Sequence, residues 1–321
     1  MKTIAMFDTS QGTLNQGDFI IAESIRREMD YLTRSNVVLR FPTHSPLARS
    51  YQALFGDVRK EFASYNLKFL CGTNLFKATL LRPNRDWNIG LFDSVLYEGS
   101  ISLGCGMEMN APKVNLATKN IYRKILSKEY IHSTRDERTA CFLRELGFRA
   151  INTGCPTTWS LTQDCVDRAF LAHSDTVLMT LTDYATDKKL DYELFRFLKD
   201  TYSKIVFWPQ GSNDYMYAKQ LGIIEEVEIL PPSFEAYEAF QSHDFEYVGT
   251  RLHGGIYALT HGHKSVVLAV DHRAPDIAAT TGIPVVARGN LVELEKYIKS
   301  DMAPKINVPH NAIDSWKKQF I

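Results

Sequence analysis

From Thr176 to Ser300 the chain repeats one pattern: a short apolar run, then a segment with helical spacing. TVLMTLTDY, KIVFWPQ, VEILPP, FEYVGT, KSVVLAVD and IPVVAR are the apolar runs. They are continuous rather than alternating, so each reads as a strand covered on both faces. Between them lie YELFRFLKDTY, YMYAKQLG, FEAYEAFQSH, GGIYALTHG and APDIAATTG, and NLVELEKYIKS follows the last. In the first of these, Leu194, Phe195, Leu198 and Tyr202 fall on one helical face. Strands alternating with helices in this way predict a parallel sheet with helices on both sides.

The first half shows the same alternation with longer connections. KTIAMFDTS reads as a strand and GDFIIAESIRREMDYL as an amphipathic helix, with Asp18 a natural N-cap. SNVVLRFPT, LKFLCGTN and DSVLYEG are strand-like, and YIHSTRD, ERTACFLRELG and RAINTGCPT make one further strand–helix–strand unit. A chain of 321 residues exceeds the size at which one core keeps growing. Periodicity pauses between Thr157 and Ser174, so the expected domains are 1–160 and 161–321. The fold class is α/β, with two Rossmann-like domains facing each other across a cleft.

Charge and cysteine usage narrow the function. Thirty-seven basic and 37 acidic side chains balance, so no overall field recruits nucleic acid or an anionic membrane. Cys71, Cys105, Cys141, Cys155 and Cys165 are spread without ligand spacing, which reads as reduced thiols in a cytoplasmic protein. TIAMF is interrupted at once by Asp8, far short of a signal-peptide core, and no run approaches a membrane span.

Ligands of open α/β sheets bind beyond the carboxyl ends of the strands, and five such ends are chemically loaded. They are Gly72-Thr73-Asn74, Ser133-Thr134-Arg135, Gly154-Cys155-Pro156-Thr157, Pro209-Gln210-Gly211 and Gly249 to Gly255. In the last, Gly254-Gly255 opens a helix whose N–H groups and dipole favour an anion. Arg251 adds a planar fork for carboxylate or phosphate, and in an extended segment His253 points the same way. The alternative is a structural ion pair at Arg251 and a turn cap at His253. Arg135 alone reads as an exposed charge beside a helix start, and Lys264 as a solvated charge before a strand. His261 and His263 lack a third metal ligand nearby, so no metal is expected. Gly12 and Gly17 are spaced wrongly for GxGxxG, and neither GxxxxGK[ST] nor GxSxG occurs. Cys155, followed by Pro156 and without an adjacent base, reads as packing.

In this order the segments resemble the polysaccharide pyruvyl transferase family. The resemblance rests on Asn15-Gln-Gly-Asp18, Ser133-Thr-Arg-Asp136 with LRELG after it, and Asn152-Thr-Gly-Cys-Pro-Thr157. It continues through Trp208-Pro-Gln-Gly-Ser-Asn-Asp214 and Gly249-Thr-Arg-Leu-His-Gly-Gly255, then Ala258, Gly262 and Lys264. It implies a GT-B-like fold and transfer of a pyruvyl group from phosphoenolpyruvate to a sugar, usually as a cyclic ketal. It implies catalysis by His253, Arg251 and Arg135, and a donor site of Arg135, Arg251, Leu252, His253, Gly254 and Lys264, the lysine holding phosphate. The acceptor or cleft side would comprise Asn15, Asp18, Asn74, Gln210 and Asp214, with the first domain on the acceptor side and the second on the donor side. No cofactor beyond the donor is implied. The acceptor would be a lipid- or nucleotide-linked sugar, a lipid-linked one bringing peripheral membrane contact. Gly72-Thr73-Asn74 departs from the glycine-only loop many members carry there. Two other classes are weighed against this one. A GT-B glycosyltransferase would need a base slot for its nucleotide sugar. A non-catalytic carbohydrate-binding member would not need Arg135, Arg251 and His253.

Overall fold

The computed structural model describes residues 1–80, 87–90, 92–108 and 114–321. It divides the chain into two compact units: residues 1–13, 21–159 and 309–321 form the first, and 14–20 and 160–308 the second. The division falls one residue before a cut at 160/161 and differs from it in two further segments: residues 14–20 go to the second unit and residues 309–321 to the first.

The first unit holds β1 (Thr3–Asp8), β2 (Val37–Pro42), β3 (Leu67–Cys71) and β4 (Ile101–Leu103), a parallel sheet in the order β2-β1-β3-β4. β5 (His132–Thr134) and β6 (Ala150–Asn152) form a further parallel pair. β3 is buried at every position and β1 at all but Thr3, as expected of central strands clad on both faces. β2 lies at the edge and leaves Val37 and Leu39 partly exposed. The helices are α1 (Gln16–Glu28), which belongs to this unit from Ile21 on, α2 (Asp30–Thr33), α3 (Ser50–Phe55), α4 (Asp57–Ser64), α5 (Leu116–Ile125) and α6 (Glu137–Glu145). Asn115 and Asp136 cap α5 and α6, accepting from the N–H groups of Thr118 and Thr139 at 2.8 Å each.

Two local readings are corrected here. DSVLYEG is not a strand: Asp93–Tyr97 is a 3-10 helix, Gly99 turns the chain at φ 82°, and the strand follows at β4. Its apolar residues Val95, Leu96 and Tyr97 are buried, so their composition mimics a strand. Asp18 is the third residue of α1 rather than its cap. Asn15 stands just before the helix, and its Oδ1 accepts from the Gly17 N–H at 3.1 Å.

The second unit holds α7 (Gln163–Leu171), β7 (Thr176–Thr180), α8 (Lys188–Thr201), β8 (Lys204–Phe207), α9 (Asp214–Gln220), β9 (Glu228–Ile229) and α10 (Phe234–Phe240). It continues with β10 (Glu246–Gly249), α11 (Leu252–Thr260), β11 (Ser265–Ala269), α12 (Arg273–Thr281), β12 (Val285–Ala287) and α13 (Leu291–Lys299). The sheet runs β12-β11-β10-β7-β8-β9, all parallel. Its core gathers Val177, Met179, Phe207, Val248, Val266 and Leu268 from the strands with Leu194, Phe195 and Leu198 from α8. This is the doubly wound order, reversing direction between β7 and β10. The crevice outside those two strand ends is where such sheets place ligands.

Candidate functional site

The reversal point of the second sheet carries a cluster built around Arg251. This residue is the N-cap of α11, in extended conformation at φ −92°, ψ 96°. The helix therefore starts two residues before the glycine pair, and His253 lies in its first turn rather than in an extended segment. Gly254 and Gly255 are required by packing. A Cβ at Gly255 would come within 2.5 Å of Val267 and 2.8 Å of Tyr247, and one at Gly254 within 2.9 Å of Gln210 Oε1. Two buried tyrosines hold the helix head from below: Tyr247 donates to the Arg251 carbonyl at 2.6 Å and Tyr237 to that of Gly254 at 2.7 Å. Tyr237 stacks on Trp208 with ring centroids 4.0 Å apart.

Arg251 is 5% exposed and its guanidinium is already engaged. Nε donates to Asp214 Oδ2 at 2.9 Å and Nη2 to Asp214 Oδ1, a bidentate pair. Nη2 also reaches Asp183 at 3.0 Å, and the Tyr184 ring lies 5.1 Å from the guanidinium carbon. Asp214 is fully buried and accepts besides from the N–H groups of Gln210, Gly211 and Asp183 at 3.1, 2.7 and 3.1 Å. Burial pushes its carboxyl pKa upward, while Arg251 and the Gly211 N–H pull it back. Of the two readings open for Arg251, the geometry is that of the ion pair. A fork committed to two carboxylates fixes the head of α11 instead of lying open to an incoming anion.

Gln210 and Asn15 join the same cluster. Gln210 Nε2 donates to Asn15 Oδ1 at 3.3 Å, and the Gln16 N–H to the Gln210 carbonyl at 2.9 Å. At Gly211 a Cβ would collide with the Arg251 guanidinium, which explains the glycine in WPQGSND. Asp18, 8% exposed, sits in the first turn of α1, one helical turn beyond Asn15.

Lys264 is not in this cluster. β10 and β11 run parallel, paired from Tyr247↔Ser265 to Gly249↔Val267. Lys264 precedes the first pair and Arg251 follows the last, so they lie at opposite ends of the sheet. Lys264 is 2% exposed and donates to the carbonyls of Ile298 and Ser300 at 3.1 Å each, with Phe170 5.5 Å away. Burial lowers its pKa, and Glu246 at 4.0 Å opposes that. It is neither a solvated charge nor a strand-end phosphate ligand; it ties the chain after α13 to the bottom of the sheet.

In the first unit Arg135 follows β5 directly, 3% exposed, donating to Asn74 Oδ1 at 2.7 Å. Its guanidinium lies over Gly106, where a Cβ would meet Nη2 at 2.5 Å. Thr73, beside Asn74, holds φ at 52°. A β-branched residue in the left-handed region is strained by about 1–3 kcal/mol, and such strain collects at functional loops. The departure from a glycine-only loop is thus a conformational burden as well as a difference in sequence.

Asp183 and Tyr184 lie outside the strand, although TVLMTLTDY reads as one strand in the sequence. β7 ends at Thr180, and the polar Thr182-Asp183 at the end of an apolar run was the signal. Arg273 reaches the Tyr184 hydroxyl and pairs with Asp271, adding the end of β11 to the same region. All five cysteines are free thiols. Among the described residues no group of three or more His, Cys, Asp or Glu is placed to hold a metal, and no helix is long and apolar enough to cross a membrane.

Residues 15–272 match the family model described as polysaccharide pyruvyl transferase. The chain belongs to that family. The matched span contains the whole Arg251 cluster together with Asn74 and Arg135. No curated protein matches the sequence. Among solved structures, UDP-GlcNAc 2-epimerase from Methanocaldococcus jannaschii, crystallised with UDP-GlcNAc and UDP, is similar at 12% identity and a TM-score of 0.57, covering 99% of both chains. The UDP-GlcNAc 2-epimerase of Neisseria meningitidis, bound to UDP-GlcNAc, is similar at 13% identity and 0.54, again over 99% of both chains. At such identity the likeness is one of fold: α/β, GT-B-like, with Rossmann-like parallel sheets.

Proposed function

We propose that this family member transfers the pyruvyl group of phosphoenolpyruvate to a sugar of a glycan precursor, lipid- or nucleotide-linked, as a cyclic ketal with release of phosphate. One observation carries the reading: the family match spans the strand-end cluster at the sheet's reversal point, with His253 and the glycine pair in the first turn of α11. The helix head supplies N–H groups and the positive dipole end for a donor anion. His253 is the general acid, since imidazole titrates near neutral pH and a neighbouring phosphate favours its protonated form. Arg251 acts through Asp214 as a positioning residue. Arg135 retains the donor role that the family resemblance assigns to it. No cofactor is invoked, and a donor made in the cytoplasm places the reaction there.

In this scheme the donor's terminal carbon takes one proton and becomes a methyl group, leaving the central carbon electrophilic. One sugar hydroxyl adds there and loses its proton. The C–O bond to phosphate breaks, phosphate leaves with the electron pair, and a second hydroxyl closes the ring and loses its proton. The test is transfer in heavy water, using phosphoenolpyruvate and a panel of linked hexoses. The ketal methyl should carry close to one deuterium per turnover, and His253→Ala should slow the reaction by roughly 10²–10⁴. An unlabelled methyl would sink the protonation step; native turnover in His253→Ala would move the acid elsewhere.

A further inference from the structure

The geometry points to a saccharide-binding cavity at the carboxyl end of the first sheet, where the glycosyl part of the acceptor is held. The word acceptor rests on the transfer reading above; sugar binding itself does not. The cavity measures about 660 Å³, room for a glycosyl unit or a short oligosaccharide, and lies within the range of small-molecule sites. Part of its wall, Pro46 to Gln52, follows β2 directly, so it sits where open α/β sheets take ligands.

The opposite wall is fixed by the core. In Trp87–Gly90, Trp87 and Ile89 are 0% and 4% exposed, while Asn88 and Gly90 alternate with them toward the cavity. The Asn88 N–H donates to the Thr43 carbonyl at 2.8 Å, and the Gly90 N–H to Asp93 Oδ1 at 2.6 Å. Phe92 lines the cavity and is 54% exposed, although a phenyl ring gains by burial. Among the described residues, nothing engages the Asn88 side-chain amide or the Arg49 guanidinium. Gln52 uses its Oε1 on the Arg49 N–H at 3.1 Å, leaving its NH₂ group to the cavity.

This set suits a polyol. Asn88 and Gln52 offer donors and acceptors, Asp93 accepts from hydroxyls, and Phe92 with Pro46 covers the C–H face of a pyranose ring. One guanidinium against one carboxylate leaves the wall without the excess positive charge a phosphate ligand would need.

The test uses the full chain without donor, with saturation-transfer NMR against the methyl glycosides of glucose, galactose, mannose, N-acetylglucosamine and N-acetylmannosamine. At least one should bind. Phe92→Ala and Asn88→Ala should each weaken it about tenfold, the loss of roughly one good contact, with thermal melting unchanged. Wild-type protein that binds none of the five, or binding indifferent to both substitutions, overturns the cavity. The transfer assay separates the two readings. Cavity-dependent glycoside binding without ketal formation sinks transfer and leaves the cavity standing. Ketal formation with acceptor KM unchanged in both variants sinks the cavity and leaves transfer standing. With both correct, acceptor KM rises about tenfold while kcat and donor KM hold.

Discussion

Arg251 and Asp214 illustrate how strongly a buried partner decides what a charged residue can do. Both carry almost no exposed side chain, at 5% and 0%. Leaving either charge buried without the other costs about 3–5 kcal/mol. Arg251→Lys keeps the charge but loses the fork, and Asp214→Asn keeps the shape but loses the charge. Each should lower stability by about 3 kcal/mol, and the double variant should fall short of the sum by about 1–3 kcal/mol, because both remove one interaction. Urea unfolding of the four proteins measures this; additive losses would show the pair to be uncoupled. Arg251 is legible in the sequence as polar chemistry closing an apolar run, while Asp214 enters only through the family resemblance, as the last residue of WPQGSND. Their pairing is not legible, because 37 positions separate them and only the strand order brings them together. Lys264 shows the same gap: the sequence marks it as basic and near the motif, whereas the helix between them, α11, returns the chain to the sheet's other end, where β11 begins.

At the scale of elements, period and length carried most of the reading. Short uniform apolar runs became strands, central ones at β7, β8, β10 and β11. VEILPP and IPVVAR became the edge strands β9 and β12, only partly buried because each has a neighbour on one side alone. The helical faces of α8 and α6 are buried as their spacing predicts. Where apolar content coincided with a tight turn, as at Asp93–Tyr97, composition gave no means of telling strand from 3-10 helix. β5 adds a feature that pattern alone does not disclose, a fully buried histidine. His132 Nδ1 accepts from the Ser102 N–H at 3.0 Å, so Nε2 is the protonated nitrogen and donates to the Ser127 carbonyl at 2.8 Å. Burial pushes its pKa down to about 4 from 6.5. The unfolded chain therefore takes up the proton first as pH falls. The stability contributed by the neutral ring is whole above about pH 6.5 and is lost as pH drops toward 4, on the order of 3 kcal/mol in all. Unfolding midpoints at pH 7 and pH 4.5 test this against His132→Asn, which cannot titrate. The wild type should lose on the order of 2 kcal/mol more than the variant across that interval. Equal losses would remove His132 as the cause.

For the whole molecule, the class and the two-unit plan follow from alternation and length, but the assignment of the chain's last residues does not. A C-terminal helix adjoining second-unit sequence carries no mark of where it packs. Here His310–Lys318 and the residues after it belong to the first unit. Trp316 is fully buried, donates from Nε1 to the Ile131 carbonyl at 2.8 Å, and meets Trp159 and Phe69 at 5.8 and 6.2 Å. Phe320 packs on Phe69 and Tyr130 at 5.2 and 5.6 Å, and Gln319 bonds Ile131 through both N–H and carbonyl. Removing one buried Trp or Phe costs about 3–5 kcal/mol, and a whole domain is stable by only about 5–15 kcal/mol. Ending the chain after Val308 should therefore unfold the first unit, although most of that unit lies 150 residues or more upstream of the cut. In hydrogen exchange, amides of β1, β3 and β4 should lose protection, while those of β7, β8 and β10 keep it. Trp316→Ala should fall between truncated and full-length chains, with faster exchange in the first sheet alone. Native protection of β1 and β3 in the shortened chain would show that the C-terminal helix covers a core already stable without it.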